Sequence, residues 1–208
     1  MKSADLMQYV TPDENPGCGF LFRYRGTRVS QSRRIFEALD QLNAMLPMGT
    51  PRLIVEIGTL YGGFTRILRD HDISTHSPIY TFDIKDTVPT VFDLGTNVNR
   101  ILGDVFTVQR TYLRLLLTQP IQALVFCDGG AKEREVNEFC AYLKAGDLIM
   151  CHDYVKHPDD LKDQALVGDW PSYESQWCNV KDALTANGCE PFAEDVMRRA
   201  LWGCWVKR

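Results

Sequence analysis

From residue 52 onward the chain alternates short apolar runs with amphipathic segments. Leu53–Ile57, Ile79–Asp83, Arg100–Leu102, Ala123–Cys127 and Leu148–Cys151 are largely unbroken in apolar residues, the pattern of strands covered on both faces. Between them, Gly63–Asp70, Thr107–Leu117 and Glu133–Leu143 carry apolar side chains at helical spacing. Strand and helix in alternation predict an α/β fold, a parallel sheet with helices on both faces. Right-handed crossovers then bring the strand C-termini to one edge, where ligands of such sheets bind. Upstream, SQSRRIFEALDQLNAML places Ile35, Phe36, Leu39, Leu42 and Leu46 on one face of a helix with Ser30 as N-cap, ended by Pro47, Gly49 and Pro51. Residues 1–29, punctuated by Pro12, Pro16, Gly17, Gly19 and Gly26, read as irregular, so 1–50 form a loop and a cap helix. The polar stretch 154–175 is long for a connection and reads as a lid or substrate loop, with Trp170, Tyr173 and Trp177 as its aromatic cluster. A helix near Gln176–Ala186 stops at Asn187-Gly188. The tail CEPFAEDVMRRALWGCWVKR reads as two strands joined by a polar turn, a hairpin able to insert one antiparallel strand.

Composition narrows the class. A chain of 208 residues, 45% apolar and 24% charged, is an ordinary globular sequence, read here as a single domain over 1–208. Its net charge of −4 argues against a general nucleic-acid binder. No apolar run approaches the roughly 20 residues that cross a bilayer, and the first residues lack the apolar core of a secretory signal. The seven cysteines include no CxxC pair, and Cys127, Cys151 and Cys204 lie in apolar runs. That usage points to a reduced, cytoplasmic protein and away from a zinc ribbon or a thioredoxin-type site.

Chemically loaded residues fall at successive strand ends. LIVEIGTLYGGFT ends the first strand with Glu56 and follows it with Gly58, Gly62 and Gly63, which let the backbone approach a ligand beside a helix N-terminus. The spacing is not GxGxxG, and an acid there suits a ligand with a cationic group. IYTFDIKD ends at Asp83, a carboxylate able to accept two ribose hydroxyls. ILGDVF brings Gly103 and Asp104 beside Val105 and Phe106, enough to hold an adenine by its edge and faces. ALVFCDGG ends at Asp128, and DLIMCHDY at His152-Asp153.

Taken together, VEIGTLYGGFT, FDIKD, ILGDVF, FCDGG and GDLIMCHDY resemble the class I S-adenosylmethionine-dependent methyltransferases over about residues 30–206. Within that family they are most similar to the small O-methyltransferases of the catechol O-methyltransferase type and of the cephalosporin-hydroxylase and macrolide-sugar methyltransferase group. The resemblance implies a Rossmann-like, seven-stranded, mostly parallel sheet with a C-terminal antiparallel hairpin. It implies S-adenosylmethionine as cofactor: Glu56, Gly58, Thr59, Tyr61, Gly62 and Gly63 at the methionine end, Asp83 on the ribose with Ile84 against the adenine, and Gly103, Asp104 and Val105 framing the adenine, with Asp128 beside them. Ser30 and Gln31 would close over the methionine. The implied activity is O-methylation of a small-molecule hydroxyl, a natural-product sugar or phenol, in a chain that associates with itself and with neither nucleic acid nor membrane.

The catalytic positions depart from the family pattern. Metal-dependent relatives hold Mg²⁺ with an acid after strand four and an acid pair, or an acid and an amide, after strand five. Here those positions are Asp128, His152 and Asp153, and histidine is a poor ligand for an ion that prefers oxygen. Two readings stay open: Asp128 and Asp153 hold Mg²⁺ or another divalent ion, or His152 is a general base oriented by a neighbouring acid. Lys132 lies four residues after Asp128 where catechol-type members have a base at three, with Ala131 at the matching place; it is either that base or a solvated helix residue. Arg23, Arg25, Arg28, Arg33 and Arg34 read as a solvated face or a surface for an anionic partner. His71 and His76 read as exposed, and His157 as a lid residue near substrate. A module that binds S-adenosylmethionine without turnover and an NAD-dependent oxidoreductase are the alternative readings; the second lacks its GxGxxG.

Overall fold

The computed structural model describes residues 1–13, 22–48, 52–89, 93–157, 159–160 and 173–208. Its helices are α1 (Ser3–Leu6), α2 (Ile35–Met45), α3 (Gly63–Asp70), α4 (Arg110–Leu117), α5 (Lys132–Phe139), α6 (Trp177–Ala186) and α7 (Glu194–Arg198). Its strands are β1 (Val10–Pro12), β2 (Phe22–Tyr24), β3 (Thr27–Val29), β4 (Arg52–Ile57), β5 (Ile79–Asp83), β6 (Val98–Leu102), β7 (Gln122–Cys127), β8 (Leu148–His152), β9 (Tyr154–Val155), β10 (Ser175–Gln176), β11 (Cys189–Pro191) and β12 (Trp202–Lys207).

The centre is a seven-stranded sheet in the order β11-β12-β8-β7-β4-β5-β6. All neighbours from β8 to β6 pair in parallel, while β12 runs antiparallel to both β8 and β11. The period of two along each strand splits the side chains between two cores. Ile54, Leu124, Phe126, Leu148 and Met150 face α2, α3 and α7. Leu53, Val55, Ala123, Val125 and Ile149 face α4, α5 and α6. Burial on both faces is what made these strands legible as apolar runs. The chain leaves β4 toward β5 and β6, then returns to the other side of β4 as β7, so the topological switch point lies between β4 and β7. There Asp128 N donates to Ile57 O at 2.9 Å.

The N-terminal region departs from the irregular loop expected. It holds α1 and a three-stranded antiparallel sheet β1-β2-β3, whose Phe22, Tyr24 and Val29 are buried in the core with α2 and α3. Pro16, Gly17, Gly19, Gly49 and Pro51 lie outside the described residues. Ser30 is not an N-cap; α2 begins at Ile35, with Arg34 in the cap position. The tail forms the antiparallel pair expected, β11 on β12, with α7 in place of a simple polar turn between them, and α7 buries Met197 in the core. In the 154–175 segment β9 and β10 pair in parallel; residues 161–172, with Trp170, lie outside the described residues. Trp177 stacks on Trp205 at 6.2 Å, so it packs against the sheet. His71 is buried, its Nε2 3.0 Å from Asp40 Oδ1, and is not the exposed loop residue expected. Among the described residues, Cys127, Cys140, Cys151, Cys189 and Cys204 are buried free thiols and Cys178 is exposed, and no helix is long and apolar enough to cross a membrane.

Gly63 is where α3 enters the sheet most closely. A Cβ there would lie 2.0 Å from the Arg28 carbonyl oxygen of β3. Gly63→Ala should therefore cost about 1–3 kcal/mol of stability through forced backbone displacement. Urea denaturation checks it; an unchanged midpoint contradicts the close contact.

Candidate functional site

At the C-terminal edge of β4, β5, β6 and β7 lies a cleft of about 620 Å³, within the size range of small-molecule sites. Gly58, Asp83, Ile84, Gly103, Asp104, Val105 and Asp128 line it together, as expected from the strand-end reading. Gly58 has φ of +97°, and a Cβ there would lie 2.2 Å from the Asp128 carbonyl oxygen, so the β4 and β7 turns touch only because that side chain is absent. Asp83 accepts from Leu60 N at 2.8 Å and from Lys85 N at 2.9 Å, one bond to each carboxylate oxygen. Asp104 Oδ1 accepts from Phe106 N at 2.8 Å. Asp104 is thus fixed by its own turn and Asp83 by its own turn and the turn after β4, and each keeps acceptor capacity toward the cleft. Ile84 is 68% exposed at the mouth, while Phe82 and Val105 are buried beneath it.

The methionine-end residues divide differently. Glu56, Thr59, Tyr61, Gly62 and Gly63 are not among the cleft-lining residues. Glu56 is fully buried; its Oε2 accepts from Thr65 Oγ1 at 2.5 Å and its Oε1 has no hydrogen-bond partner. Burial, with the charges of Asp128 and Asp83 adding to it, pushes its pKa up to about 8. Thr59 pairs with Thr81 through their hydroxyls at 2.5 Å. Gly62 takes the left-handed conformation at the start of α3.

Next to the cleft is a second cluster, centred on Asp128. His152 Nδ1 lies 2.8 Å from Asp128 Oδ1, and Gln31 Nε2 donates to Asp128 Oδ2 at 2.6 Å. Gln31 Oε1 in turn accepts from Trp202 Nε1 at 2.9 Å, and the Trp202 ring packs against His152 at 4.8 Å, tilted by 35°. Lys132 Nζ approaches Glu174 Oε2 at 2.5 Å, Asp153 Oδ2 at 3.0 Å and Asp128 Oδ1 at 4.0 Å. Lys132 is buried and is not a solvated helix residue. Burial alone would lower its pKa, but Asp128, Asp153 and Glu174 outweigh that and hold it above the usual lysine value. Asp128, Lys132 and Glu174 line the cleft; His152 does not, and it lies buried behind Asp128. Asp128, His152 and Asp153 present ligand atoms within 4.8 Å of one another, a donor set whose two carboxylates suit a divalent cation.

Sequence reasoning brought Asp128, His152, Asp153 and Lys132 to one place but missed Trp202, Glu174 and Glu135. Trp202 is opposite His152 in the β12–β8 register, a position legible only once the antiparallel insertion is known. Glu174 lies near the end of the long polar stretch 154–175 and carries no local signal. Glu135 accepts from Gly129 N at 3.2 Å and Ala131 N at 3.3 Å, fixing the turn after Asp128; burial pushes its pKa up to about 7. Gln31, expected to close over a ligand, instead holds Asp128. Of the arginine cluster, Arg23 and Arg28 pair with Asp13 and Arg25 with Asp70, so these three answer acids within the chain. His157 is exposed, with its backbone N–H on Asp160; His76 is exposed.

No protein-family model and no curated protein matches the chain. Solved structures do. CmcI in its N160 apo structure is 15% identical, with TM-score 0.58 over 89% of this chain and 75% of that one. CmcI D160 with Mg and SAM gives 14% and 0.55 over 88% and 75%. MycE methyltransferase from the mycinamycin biosynthetic pathway, with Mg, SAH and mycinamycin VI, gives 17% and 0.53 over 83% and 49%, so the chain spans about half its length. Aeropyrum pernix fibrillarin with natively bound S-adenosyl-L-methionine gives 18% and 0.52 over 82% and 74%. The chain therefore has the Rossmann-like fold of these methyltransferases.

The buried Glu56 makes a pH prediction. Its carboxyl stays protonated in the folded chain up to about pH 8, whereas the unfolded chain releases that proton near its ordinary 4.5. Folded protein then binds the extra proton through that window, so stability falls as pH rises across it. Glu56→Gln should flatten this fall, by an amount on the order of a few kcal/mol between the two ends, read by chemical denaturation at each pH. An unchanged slope in the variant contradicts the assignment.

Proposed function

We propose that the chain is a single-domain S-adenosylmethionine-dependent methyltransferase acting on a hydroxyl of a small molecule, a sugar or phenol of natural-product type. The observation that carries the reading is the cleft at the switch point. It joins two fixed carboxylates, Asp83 and Asp104, to the apolar walls of Ile84, Val105 and Phe106 within reach of Asp128. A nucleoside asks for that combination: acceptors for a ribose diol and for an exocyclic amine, and flat apolar faces for a base. The volume and the donor set fit the cofactor. The likeness to CmcI with Mg and SAM, to MycE with SAH and to fibrillarin with S-adenosyl-L-methionine supports the same reading.

In this reading Asp83 receives the ribose hydroxyls and Asp104 the adenine edge, with Gly58 and Gly103 letting the backbone pass close. Glu56, Thr59, Tyr61, Gly62 and Gly63 shape the turn that carries the methionine end. S-adenosylmethionine, when bound, supplies an electrophilic methyl group on a sulfonium centre. The chain's own task is to hold an acceptor hydroxyl in line and take its proton. Asp128 stands at the cleft wall with its carboxylate held by Gln31 and His152, so it accepts the hydroxyl's hydrogen bond and takes its proton, while His152 donates Nδ1–H to Oδ1 and fixes the carboxylate. A divalent ion on Asp128 and Asp153 would instead acidify the hydroxyl directly.

Asp83→Ala should weaken S-adenosylhomocysteine binding by about 10- to 100-fold, the loss of charged hydrogen bonds to a diol, measured by calorimetry. Unchanged affinity would mean that the ribose lies elsewhere. His152→Ala should lower kcat by about 10²- to 10⁴-fold once an acceptor is found, with S-adenosylhomocysteine affinity retained. Retained turnover in that variant would mean that the histidine does not position the Asp128 base.

A further inference from the structure

The carboxylates of Asp128 and Asp153 converge on one spot, and a side chain of the protein already stands there. Lys132 opens α5, and a helical side chain leans back toward the N-terminal end of its helix, here toward the end of β7. Its Nζ lies 3.0 Å from Asp153 Oδ2, 4.0 Å from Asp128 Oδ1 and 2.5 Å from Glu174 Oε2, with only 8% of the side chain exposed. A magnesium ion binds oxygen at about 2.0–2.1 Å in near-octahedral geometry. An ion bound to both Asp128 and Asp153 would therefore lie close beside the ammonium, and two cations repel at short range.

His152 adds to the same picture. With its Nδ1 2.8 Å from Asp128 Oδ1, the imidazole donates to that oxygen and offers no lone pair at that atom to a cation. A second, independent feature points at a cation rather than at a closed ion-pair network. Asp153 is 7% exposed, its Oδ1 accepts no hydrogen bond, and its backbone is left-handed at φ 53°. That backbone is uncommon outside glycine, and the carboxylate it carries faces the cluster, with Oδ2 3.0 Å from Lys132 Nζ and Oδ1 3.5 Å from His152 Nδ1.

We infer that Lys132 is the resident cation of this site: its ammonium competes with a divalent ion for Asp128 and Asp153, so the native chain holds such an ion weakly and removal of the ammonium opens a divalent-cation site. The inference concerns the same place as the proposed methyl transfer but rests only on the cluster's charges and distances.

Manganese binding tests it, because the free ion's paramagnetic resonance signal reports binding without any cofactor or turnover. Lys132→Met should bind Mn²⁺ at least about tenfold more tightly than the native chain, about a tenfold gain being 1.4 kcal/mol. Lys132→Arg, which keeps the positive charge, should bind as weakly as the native chain. Adding Asp128→Asn to Lys132→Met should abolish the gain. Equal affinity in the native chain and Lys132→Met overturns the inference, and so does a gain that survives Asp128→Asn. If Lys132→Met does not fold, Lys132→Gln replaces it, and micromolar Mn²⁺ binding by the native chain overturns the inference without any variant. A failure to bind S-adenosylhomocysteine leaves all of these readings unaffected, so the two proposals fail separately.

Discussion

The Asp128 carboxylate organises everything around it. A buried or half-buried carboxylate must be met by donors, and each oxygen here recruits a different part of the chain. Gln31 reaches Oδ2 from the segment before α2, ahead of the first strand of the sheet. His152 reaches Oδ1 from the end of β8, and Lys132 from the first turn of α5. Trp202, from the antiparallel strand, closes the ring by bonding Gln31 and packing against His152. Four elements far apart in sequence are therefore tied to one side chain, beside the cleft where a ligand would sit.

That arrangement follows from topology. The switch point between β4 and β7 leaves a crevice that no crossover covers, and β4, β5, β6 and β7 all end there. Asp83 is pinned by its own turn and by the turn after β4, and Asp104 by its own turn, so their remaining acceptor capacity is directed before any ligand arrives. Acids crowd this edge. Burial pushes two of them up, Glu56 to about 8 and Glu135 to about 7, and the charge of Asp128 adds to both. Lys132 offsets the crowding where it is greatest.

The inner strands β4, β7 and β8 were legible because they are apolar and buried on both faces. Ile79–Asp83 and Gly63–Asp70 were read to the residue, and β6 only began two positions earlier than expected. The N-terminal sheet was not legible. β1, β2 and β3 are three residues each, too short to show a period, and they carry Arg23 and Arg28 on their exposed sides. Ser30 looked like a cap because it precedes an amphipathic run, but Gln31 is drawn to Asp128 and holds the chain in a turn until Ile35. His71 has no sequence signal for burial; its partner Asp40 is a helix and a strand away. The strand-end acids were found because topology places them, whereas Trp202 and Glu174 depend on register and on a return of the chain that no local pattern encodes.

Isothermal titration of the unaltered chain with S-adenosylmethionine, S-adenosylhomocysteine and NAD tests the account most directly. Micromolar binding of the first two, with none for NAD, is the predicted result. Binding of NAD alone, or of none of the three, would contradict the reading of the cleft at the ends of β4, β5 and β6.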